Sequence, residues 1–445
     1  MNFTLVLVLT IFAFHTTAGI ASVKSYFNHN SRSSYKEPYR NINRAGDDLE
    51  KVIITQIKSA KKTVFVAVQE LRLPLIAQAL LERHKAGVDV RLILENNYNH
   101  DATRAGRGGD DHDAERADEL HDFIDTNNNG RLEEAELEAR DAVYMLKKAR
   151  VPIMDDTFGG SMGSALMHHK FIIVDDRKVI VTTANFTMSC VHGDWRTPSS
   201  RGNPNSLMLV ESDAFSDLFT EEFTQMWGNG KIGNFGLRKS YRGPRTVNVG
   251  GGKITVQFSP TAKGHGWDNS VNGLIGRYVN RATSSVKGAL FVFSDQNITN
   301  ILEKRSAVGV KMGFIIETKF AYREYSELLD MMGLQFLNSS CQPEAGNKPW
   351  RTPLMEGGMA GSRNGDILHH KFAVVDEKTV IVGSQNWTEA ANHQNDETLL
   401  VVESPSIADS FSREYARVKT VSVMGIPPSI ATKLKQQEES CASRR

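Results

Sequence analysis

The sequence has few cysteines, almost no net charge and few long apolar runs, and each shortage excludes a class of protein. Its 445 residues include three cysteines, too few for a disulfide scaffold, although Cys341 and Cys441 could pair in an oxidising compartment and leave Cys190 unpaired. The 53 basic residues nearly balance the 52 acidic ones, so no overall field favours nucleic acid, although a local basic groove stays open. Beyond the N-terminal run, no apolar stretch has membrane-spanning length.

The N-terminus has the pattern of a secretory signal peptide. The apolar run over residues 3–14 is too short to span a bilayer comfortably, and small residues follow it. We expect cleavage after Gly19 or Ala21, a signal peptide over 1–21, and a secreted or periplasmic protein. An uncleaved anchor is the alternative, because no lysine or arginine precedes the run. The polar residues 22–45 are interpreted as a flexible arm.

One polar motif occurs twice with identical internal spacing. Each copy has the pattern His-x-Lys-x4-Asp followed ten residues later by asparagine, and the eight residues are His168, Lys170, Asp175, Asn185, His369, Lys371, Asp376 and Asn386. Residues two apart on a strand share a face, so the histidine and lysine of each copy point the same way. An imidazole, a cation and an amide suit a tetrahedral anion such as phosphate, whereas the lysines would repel a metal ion. Two unrelated His-Lys dipeptides at strand edges would not explain the shared spacing.

The two copies resemble the paired HKD motifs of the phospholipase D superfamily, whose members include phospholipases, cardiolipin hydrolases and endonucleases. The resemblance covers nearly all of the chain after the leader. It implies an α/β fold with two pseudo-symmetric phospholipase D-like halves, each a mixed β-sheet flanked by helices. It also implies one site built from both motifs, and therefore a monomer that acts as a phosphodiesterase.

The resemblance further implies a role for each motif residue. One histidine forms a phosphohistidine intermediate, and the other protonates the leaving alcohol and later activates water. By analogy with bacterial phospholipases, His168 attacks and His369 donates the proton. The motif lysines and asparagines would hold the non-bridging oxygens, and the chemistry would require no metal.

The two halves differ where a carboxylate should orient a histidine. Glu397 fits this role in the second half, but the corresponding residue of the first half is Asn205. Asp194 is a candidate substitute, and the division of labour between the histidines stays open. Asp175 and Asp376 lie at turns and are expected to support the motifs more than to react.

Apolar periodicity predicts a βαβ unit with a parallel strand pair ahead of each motif. The predicted helices and strands cover 49–60, 64–68, 75–85 and 88–94 in the first half, and 271–282, 288–293, 298–307 and 310–316 in the second. The first half is assigned to 46–240 and the second to 253–420, with 421–445 as a tail. The glycines at 250–252 are interpreted as the seam.

The first half carries extra residues, at about 105–148, that predict an EF-hand calcium site within a helical insertion. Gly130 occupies loop position six, where an EF-hand turns sharply, and apolar-periodic helices flank the loop. Oxygen ligands are predicted from Asp125, Asn127, Asn129, the carbonyl of Arg131, Glu133 and Glu136. With three carboxylates the affinity should be modest, and calcium should serve structure or regulation. An asparagine-rich turn without calcium is the alternative.

The sequence leaves two substrate classes open, phospholipid and nucleic acid. Gly/Met-rich loops at 158–163 and 357–361 could admit phospholipid at a membrane surface. A nucleic acid would instead need a basic groove with stacking aromatics, for which the candidates are Arg196, Arg201, Arg351, Trp195 and Trp350. Export and balanced charge favour hydrolysis of a phospholipid head-group phosphodiester over a secreted endonuclease. A non-catalytic calcium-dependent binding protein is a third interpretation.

Overall fold

The computed structural model describes residues 21–104, 111–158, 165–361 and 365–443, without the side chains of 111–113. Apart from its last residue, the predicted signal peptide lies outside the described residues, as does most of the loop at 158–163. Within the described part, no helix is long and apolar enough to cross a membrane.

Each half alternates strands and helices. The elements of the first half are β1 (Ser22–Phe27), β2 (Ser34–Lys36), β3 (Asn43–Ala45), α1 (Leu49–Ser59), β4 (Thr63–Val68), α2 (Pro74–Lys85), β5 (Asp89–Leu94), α3 (Asp111–Ile124), α4 (Glu134–Arg140), α5 (Ala142–Lys148), β6 (Ile153–Asp155), β7 (Lys170–Val174), β8 (Lys178–Thr182), α6 (Met188–Val191), β9 (Ser206–Glu211) and α7 (Asp213–Trp227). Those of the second half are β10 (Arg245–Val249), β11 (Gly252–Ser259), α8 (Val271–Asn280), β12 (Ser285–Leu290), α9 (Gln296–Ala307), β13 (Lys311–Ile316), α10 (Thr318–Ala321), α11 (Glu327–Met331), β14 (Glu356–Met359), β15 (Lys371–Val375), β16 (Thr379–Gly383), α12 (Glu389–His393), β17 (Glu397–Glu403), α13 (Pro405–Thr420), β18 (Val423–Met424) and α14 (Pro428–Ala442).

The two main sheets have matching topology. The first has the order β1-β9-β8-β7-β4-β5-β6, and the second β10-β11-β17-β16-β15-β12-β13-β14-β18. Without β10 and β18, the second order repeats the first strand for strand. In both sheets the βαβ unit forms a parallel pair, β4 with β5 and β12 with β13, while the motif hairpin is antiparallel. The α/β fold with two pseudo-symmetric halves is therefore confirmed.

The protein has three apolar layers, of which the inner one contains residues of both halves. Because strand residues alternate between faces, Val64 and Val66 of β4 pack outward against α1 and α2, whereas Phe65 packs inward. The inner layer also receives α7, α13 and the inner face of the second sheet. A third layer lies between the second sheet and α8 and α9. The two sheets thus face each other across a shared apolar core.

The flexible arm predicted over 22–45 is wrong. Strand β1 pairs with β9 along its whole length, and β2 and β3 form a small hairpin. Phe27 is buried in the core between the sheets, and the Asn28 amide Nδ2 donates to the carbonyls of Cys190 and Asn203. The segment is held by contacts with residues that are remote in the sequence. Its polar composition gives no indication of these contacts.

The prediction that the glycines at 250–252 separate the two halves is also wrong. Gly250 and Gly251 form the two-residue turn of the β10–β11 hairpin, with positive φ angles of 57° and 79°. Paired positive φ angles match the right-handed twist of the flanking strands and favour glycine at both positions. The second sheet therefore begins at Arg245, before the predicted boundary.

The C-terminal segment interpreted as a tail contains a helix. Pro428 occupies the first turn of α14, where a missing N–H costs nothing. Ile430 and Leu434 pack against the third apolar layer, and Cys441 is bonded to Cys341. The pairing of Cys341 with Cys441 that the sequence leaves open is therefore present, and Cys190 is a buried free thiol.

Candidate active site

The motif residues of both halves meet at one edge of the two sheets. Strands β7 and β15 begin at the motif lysines, so each histidine lies immediately before a strand. His168 N–H donates to the carbonyl of Asp396 at 2.9 Å, and Ile367 N–H donates to Asn203 Oδ1 at 2.9 Å. Backbone hydrogen bonds from each motif segment to the opposite half thus bring the two motifs together.

Each histidine is oriented by a residue of the opposite half. His168 Nδ1 lies 2.7 Å from Glu397 Oε2, and His369 Nδ1 lies 2.9 Å from Asn205 Oδ1. Glu397 and Asn205 are fully buried, while the histidines keep 7% and 8% of their surface exposed. Because Nδ1 is occupied in both rings, Nε2 is the nitrogen left for chemistry.

The motif lysines are buried ammonium groups held beside the histidines. Lys170 Nζ donates to the His168 carbonyl at 2.9 Å and to Gln69 Oε1 at 3.3 Å. Lys371 Nζ donates to the His369 carbonyl at 2.9 Å and lies 4.9 Å from the centre of the Phe291 ring. Two desolvated cations beside two imidazoles form a site for an anion.

The motif asparagines complete this anion site. Asn185 and Asn386 follow β8 and β16, the second strands of the motif hairpins. Among the described residues, neither amide oxygen has a hydrogen-bond partner although both atoms are buried. Amides left with unused hydrogen-bonding capacity in such a site are suited to contact a polar substrate.

The charges of the site favour neutral imidazoles before substrate binds. Burial lowers the pKa of His168 and of His369 well below the ordinary value, and Lys170 and Lys371 lower both further. Burial also lowers the pKa of Lys170 to about 8 and that of Lys371 well below its ordinary value. Burial raises the pKa of Glu397, while the Lys170 ammonium opposes this rise. A bound phosphate anion would counter the surplus of positive charge.

The second histidine of each motif supports the structure and does not enter the site. His169 Nε2 lies 3.0 Å from Glu222 of α7, and His370 Nε2 lies 2.7 Å from Glu414 of α13. His169, Glu222 and Asp396 bring ligand atoms within 4.8 Å of one another, a spacing that could hold a metal ion. The ammonium of Lys239 already pairs with both carboxylates of that group, so a further cation would be repelled.

The motif aspartates lie away from the reacting groups. Asp175 follows the last residue of β7, and its carboxylate accepts hydrogen bonds from the backbone N–H groups of Lys61, Lys62 and Thr63. Asp376 accepts equivalent bonds from residues 283–285. A five-residue strand separates each aspartate from its histidine, a rise of roughly 17 Å. These two residues are therefore structural supports.

Asp194 does not replace the missing acid of the first half. Asn205 itself contacts His369, while the Asp194 carbonyl accepts from the Arg40 guanidinium. Burial raises the pKa of Asp194 to about 6, helped by nearby Glu119 and Asp366. The substitute predicted from proximity in sequence is wrong.

Gln69 and Phe291 are site residues that the motif analysis missed. Each directly follows the first strand of its βαβ unit, β4 or β12, so they occupy equivalent positions. Gln69 contacts Lys170, whereas Phe291 packs edge-on against His369, with ring centres 5.1 Å apart, and against Phe320. An alignment of the two predicted βαβ units would have identified this pair.

The candidate nucleic-acid groove is not formed by the residues proposed for it. Trp350 is only 3% exposed and cannot stack on a base. Trp195 packs edge-on against Phe123 and lies under the Arg40 and Arg140 guanidinium groups, and Arg196 pairs with Asp122. Trp195 thus packs against the insertion, and Trp350 belongs to the third apolar layer.

The predicted calcium loop lies between α3 and α4, with a helix on each side as expected. Gly130 N–H donates to Asp125 Oδ2 at 2.8 Å, and Asn129 N–H donates to Asp125 Oδ1 at 3.1 Å. Glu136 Oε1 accepts from Thr126 N–H at 2.7 Å, which brings loop position twelve back to the start of the loop. The donor set is all oxygen, as calcium requires.

The insertion also contacts residues beside the active site. From α3, Arg116 forms an ion pair with Glu70, the neighbour of Gln69. The Glu119 carboxylate of α3 accepts a hydrogen bond from the Trp195 N–H, and Asp122 pairs with Arg196. The helix that enters the predicted calcium loop is therefore joined to two segments that flank the site.

Comparison with known proteins shows what this architecture resembles. A family described as cardiolipin synthase, PLD-like domain, matches residues 53–227 and 275–419. The mitochondrial cardiolipin hydrolase of Mus musculus is 27% identical over 139 residues, which cover 31% of this chain and 52% of that protein. A phospholipase D of Rickettsia conorii is 23% identical over 167 residues, which cover 38% of this chain and 70% of that protein.

The match to the curated relatives is partial, while the match in fold extends along the chain. This chain spans about a third to a half of the length of the cardiolipin hydrolases from Xenopus laevis and mouse. The crystal structure of phosphatidylserine synthase from Haemophilus influenzae aligns with a TM-score of 0.55 at 12% identity, covering 94% of each chain. Because the sequence identity is this low, the similarity shows a shared fold and nothing about activity.

Proposed function

The chain belongs to the PLD-like domain family of cardiolipin synthases, and from this premise we propose that it hydrolyses a phospholipid head-group phosphodiester. The observation that carries the proposal is the crossed pairing of His168 with Glu397 and of His369 with Asn205, beside two buried lysines. This arrangement supplies a nucleophile, a proton donor and an anion site in one place. It needs both halves of the chain.

In the first step, His168 Nε2 attacks phosphorus. Its lone pair forms the N–P bond while the bond from phosphorus to the leaving oxygen breaks. The departing electron pair stays on that oxygen, which takes the Nε2 proton of His369 in its imidazolium form, the form that the bound phosphate anion favours. Lys170 and Lys371 stabilise the negative charge that grows on the non-bridging oxygens, and Asn185 and Asn386 contribute amide contacts. The product is an alcohol and a phosphohistidine at His168.

In the second step, water replaces the enzyme at phosphorus. His369 Nε2, now neutral, takes a proton from the attacking water, whose oxygen forms the new P–O bond. The P–N bond breaks, and its electron pair returns to His168 Nε2. The sum of the two steps is one phosphodiester and one water converted to one phosphomonoester and one alcohol, with both histidines restored.

A phospholipid is favoured over a nucleic acid for two reasons. The relatives that match in sequence include a mitochondrial cardiolipin hydrolase and a phospholipase D. The aromatic residues offered for base stacking are occupied in packing, whereas Phe291 and Phe320 place a partly exposed apolar surface beside His369. Because the proton donor faces the leaving head-group alcohol, an aromatic surface there suits a head group such as choline, whose quaternary ammonium binds aromatic faces.

The test offers purified protein phosphatidylcholine or cardiolipin vesicles in one arm and single- or double-stranded DNA in the other, each with EDTA. We expect release of the head-group alcohol and phosphatidic acid product from vesicles, and its loss in the His168→Ala variant. His84→Ala, at the far end of α2, is the matched control and should retain turnover. DNA cleavage without lipid turnover would show that the substrate is a nucleic acid and not a phospholipid. No turnover in either arm would favour the non-catalytic binding protein.

We propose in addition that the loop over 125–136 binds calcium and stabilises the insertion. The support is the donor set of Asp125, Asn127, Asn129, Glu133 and Glu136 with the Arg131 carbonyl, arranged between two helices. The catalytic steps above use side chains alone, so calcium would act by holding α3 against Glu70 and Trp195. An affinity of about 10⁻⁴ to 10⁻³ M is expected for a site of this kind.

Thermal unfolding in millimolar calcium and in EDTA tests the calcium site. We expect calcium to raise the melting temperature of the wild-type protein and to have no effect on Glu136→Gln, which loses the bidentate ligand. Glu138→Gln changes an exposed glutamate of α4 that pairs with Lys148, and should respond to calcium as the wild type does. An equal response of the two variants would refute the site.

We also propose that the mature protein is exported. The disulfide between Cys341 and Cys441 supports this, because such bonds persist in oxidising compartments. Fractionation of expressing cells, with N-terminal sequencing of the product, should find a mature chain starting near residue 20 or 22 outside the cytoplasm. A full-length chain that stays in the cytoplasm with both thiols reduced would contradict export.

A further inference from the structure

The two histidines occupy nearly equivalent positions but have chemically different partners. Glu397 begins β17 and Asn205 directly precedes β9, so the two residues are equivalent in the matching sheets. Their supports also match: Thr183 Oγ1 donates to Asn205 Oδ1 at 2.7 Å, and Ser384, its counterpart after β16, hydrogen-bonds to Glu397. The halves thus share a framework and differ in one functional group, carboxylate against amide.

The Asn205 amide is held in a single orientation. Its Nδ2 donates to the carbonyls of Cys190 and Asn203, both at 2.9 Å, and its backbone N–H donates to Asn28 Oδ1 at 2.8 Å. Both amide hydrogens are therefore used on the side away from the site. The oxygen must face His369, and an oxygen there can only accept, so Nδ1 of His369 carries a proton and Nε2 is directed to the substrate.

The difference between the partners matches the difference between the two chemical roles. Attack by His168 leaves its ring with a bond to phosphorus and a proton on Nδ1, a cationic state that a carboxylate stabilises. The acid–base histidine must instead release a proton in one step and take it back in the next. A neutral oxygen orients that ring without adding stability to the imidazolium.

We propose that Asn205 is a positioning residue that makes His369 the acid–base histidine by holding its Nδ1 with a neutral oxygen, and so leaves the nucleophilic role to His168. This inference rests on the proposed phosphodiesterase function and resolves the assignment that the motif spacing alone leaves open. The inference follows from the hydrogen bonds of Asn205, which join it to the N-terminal segment, to the rest of the first half and to His369 of the second half. Burial, Lys371 and Lys170 lower the pKa of His369, and its Nδ1 partner is a neutral amide oxygen.

The experiment measures the protonation of His369 in the full-length mature protein by NMR with ¹⁵N-labelled histidine, using His369→Gln to assign the signal. In the wild type we expect the tautomer with hydrogen on Nδ1. In Asn205→Asp, a carboxylate beside Nδ1 should raise the pKa of His369 by about 1 to 3 units. Glu397→Gln is the reciprocal control, which should change His168 and leave His369 unaltered. An unchanged His369 titration in folded Asn205→Asp would overturn the proposal.

Asn205→Asp removes two amide donors and could fail to fold, so a second measurement uses the wild type alone. Rapid acid quench during turnover of a phosphodiester, followed by peptide mapping, should find phosphorus on His168. Phosphorus on His369 would overturn the assignment, and so would a wild-type His369 tautomer with hydrogen on Nε2. If no phosphodiester is turned over, the proposed function fails, while the NMR titration still decides the role of Asn205.

Discussion

Lys170 is a buried ammonium group, and its burial makes its charge sensitive to pH. Burial lowers the pKa of Lys170 to about 8, because desolvation disfavours the charged form. Above that pH the amine becomes neutral and can no longer stabilise charge on the phosphate oxygens. The anion site should therefore weaken in mildly alkaline solution.

We predict that kcat/KM falls about tenfold per pH unit above pH 8 or so, since this parameter reports the free enzyme. Lys170→Arg keeps its charge, because a guanidinium stays protonated to about pH 12, and should move the decline to higher pH even if the rate is lower throughout. Lys178→Arg, on β8 and paired with Glu211, is the matched control and should keep the wild-type profile. A decline at the same pH in Lys170→Arg would assign it to another group.

At this scale the sequence predicts which motif residues come together, and it predicts their partners poorly. His168, Lys170 and Asn185 lie within one short hairpin, so spacing alone determines that they come together. Glu397 and Asn205 were recognised as equivalent positions, but their partners lie in the opposite half. That crossing depends on how two separate sheets face each other, which no local pattern encodes.

Among the elements, the motif hairpins depend on aspartates that lie at the far end from the chemistry. Asp175 accepts N–H bonds from three consecutive residues that lead into β4, so it joins the β7 turn to the neighbouring strand. The next residue, Asp176, also has a positive φ angle, and its side chain accepts a bond from the Thr220 hydroxyl. The two aspartates share a backbone conformation, but Asp175 accepts several backbone N–H bonds whereas Asp176 accepts a bond from one hydroxyl.

We predict that Asp175→Ala lowers the free energy of unfolding by about 1 to 3 kcal/mol more than Asp176→Ala does, because several backbone donors lose a charged acceptor. The shared positive φ angle makes any backbone strain similar in both variants. Urea unfolding measures the difference, and kcat of the folded fraction should stay near that of the wild type. A large loss of kcat in stable, folded Asp175→Ala would return this aspartate to the catalytic residues.

The elements that the sequence mispredicted share one cause. The βαβ units have strong local periodicity and lie within three residues of their predicted bounds, the largest difference being β12, predicted over 288–293 and found at Ser285–Leu290. The motif hairpins and the helices that flank the calcium loop are also present. Strand β1 and helix α14 are polar by composition, and each is fixed by a distant partner, β9 for the strand and Cys341 for the helix. The glycines at 250 and 251 are predicted to mark the seam between the halves, whereas with their positive φ angles they form a tight hairpin turn.

For the whole molecule, the active site exists only when both halves are docked. Each histidine takes its Nδ1 partner from the other half, and Lys239, which lies between the halves, pairs with Glu222 of the first and Asp396 of the second. The apolar layer between the sheets includes α7 and α13, one from each half. A single half would expose that layer and would lack the residue that orients its own histidine.

We predict that the mature chain divided between Gly243 and Pro244, in a segment outside the strands and helices, gives two fragments that are inactive alone and active when co-expressed. Reassembly is expected because the buried apolar layer, and not the covalent link, holds the halves together. In the co-expressed pair, His168→Ala in one fragment or Glu397→Gln in the other should each reduce turnover, since one site needs both chains. The measurement is phosphodiester turnover by co-purified fragments, with each fragment alone as the control. Full activity from the first fragment by itself would mean that it completes a site with a second copy of itself, and the crossed pairing would then not be required for catalysis.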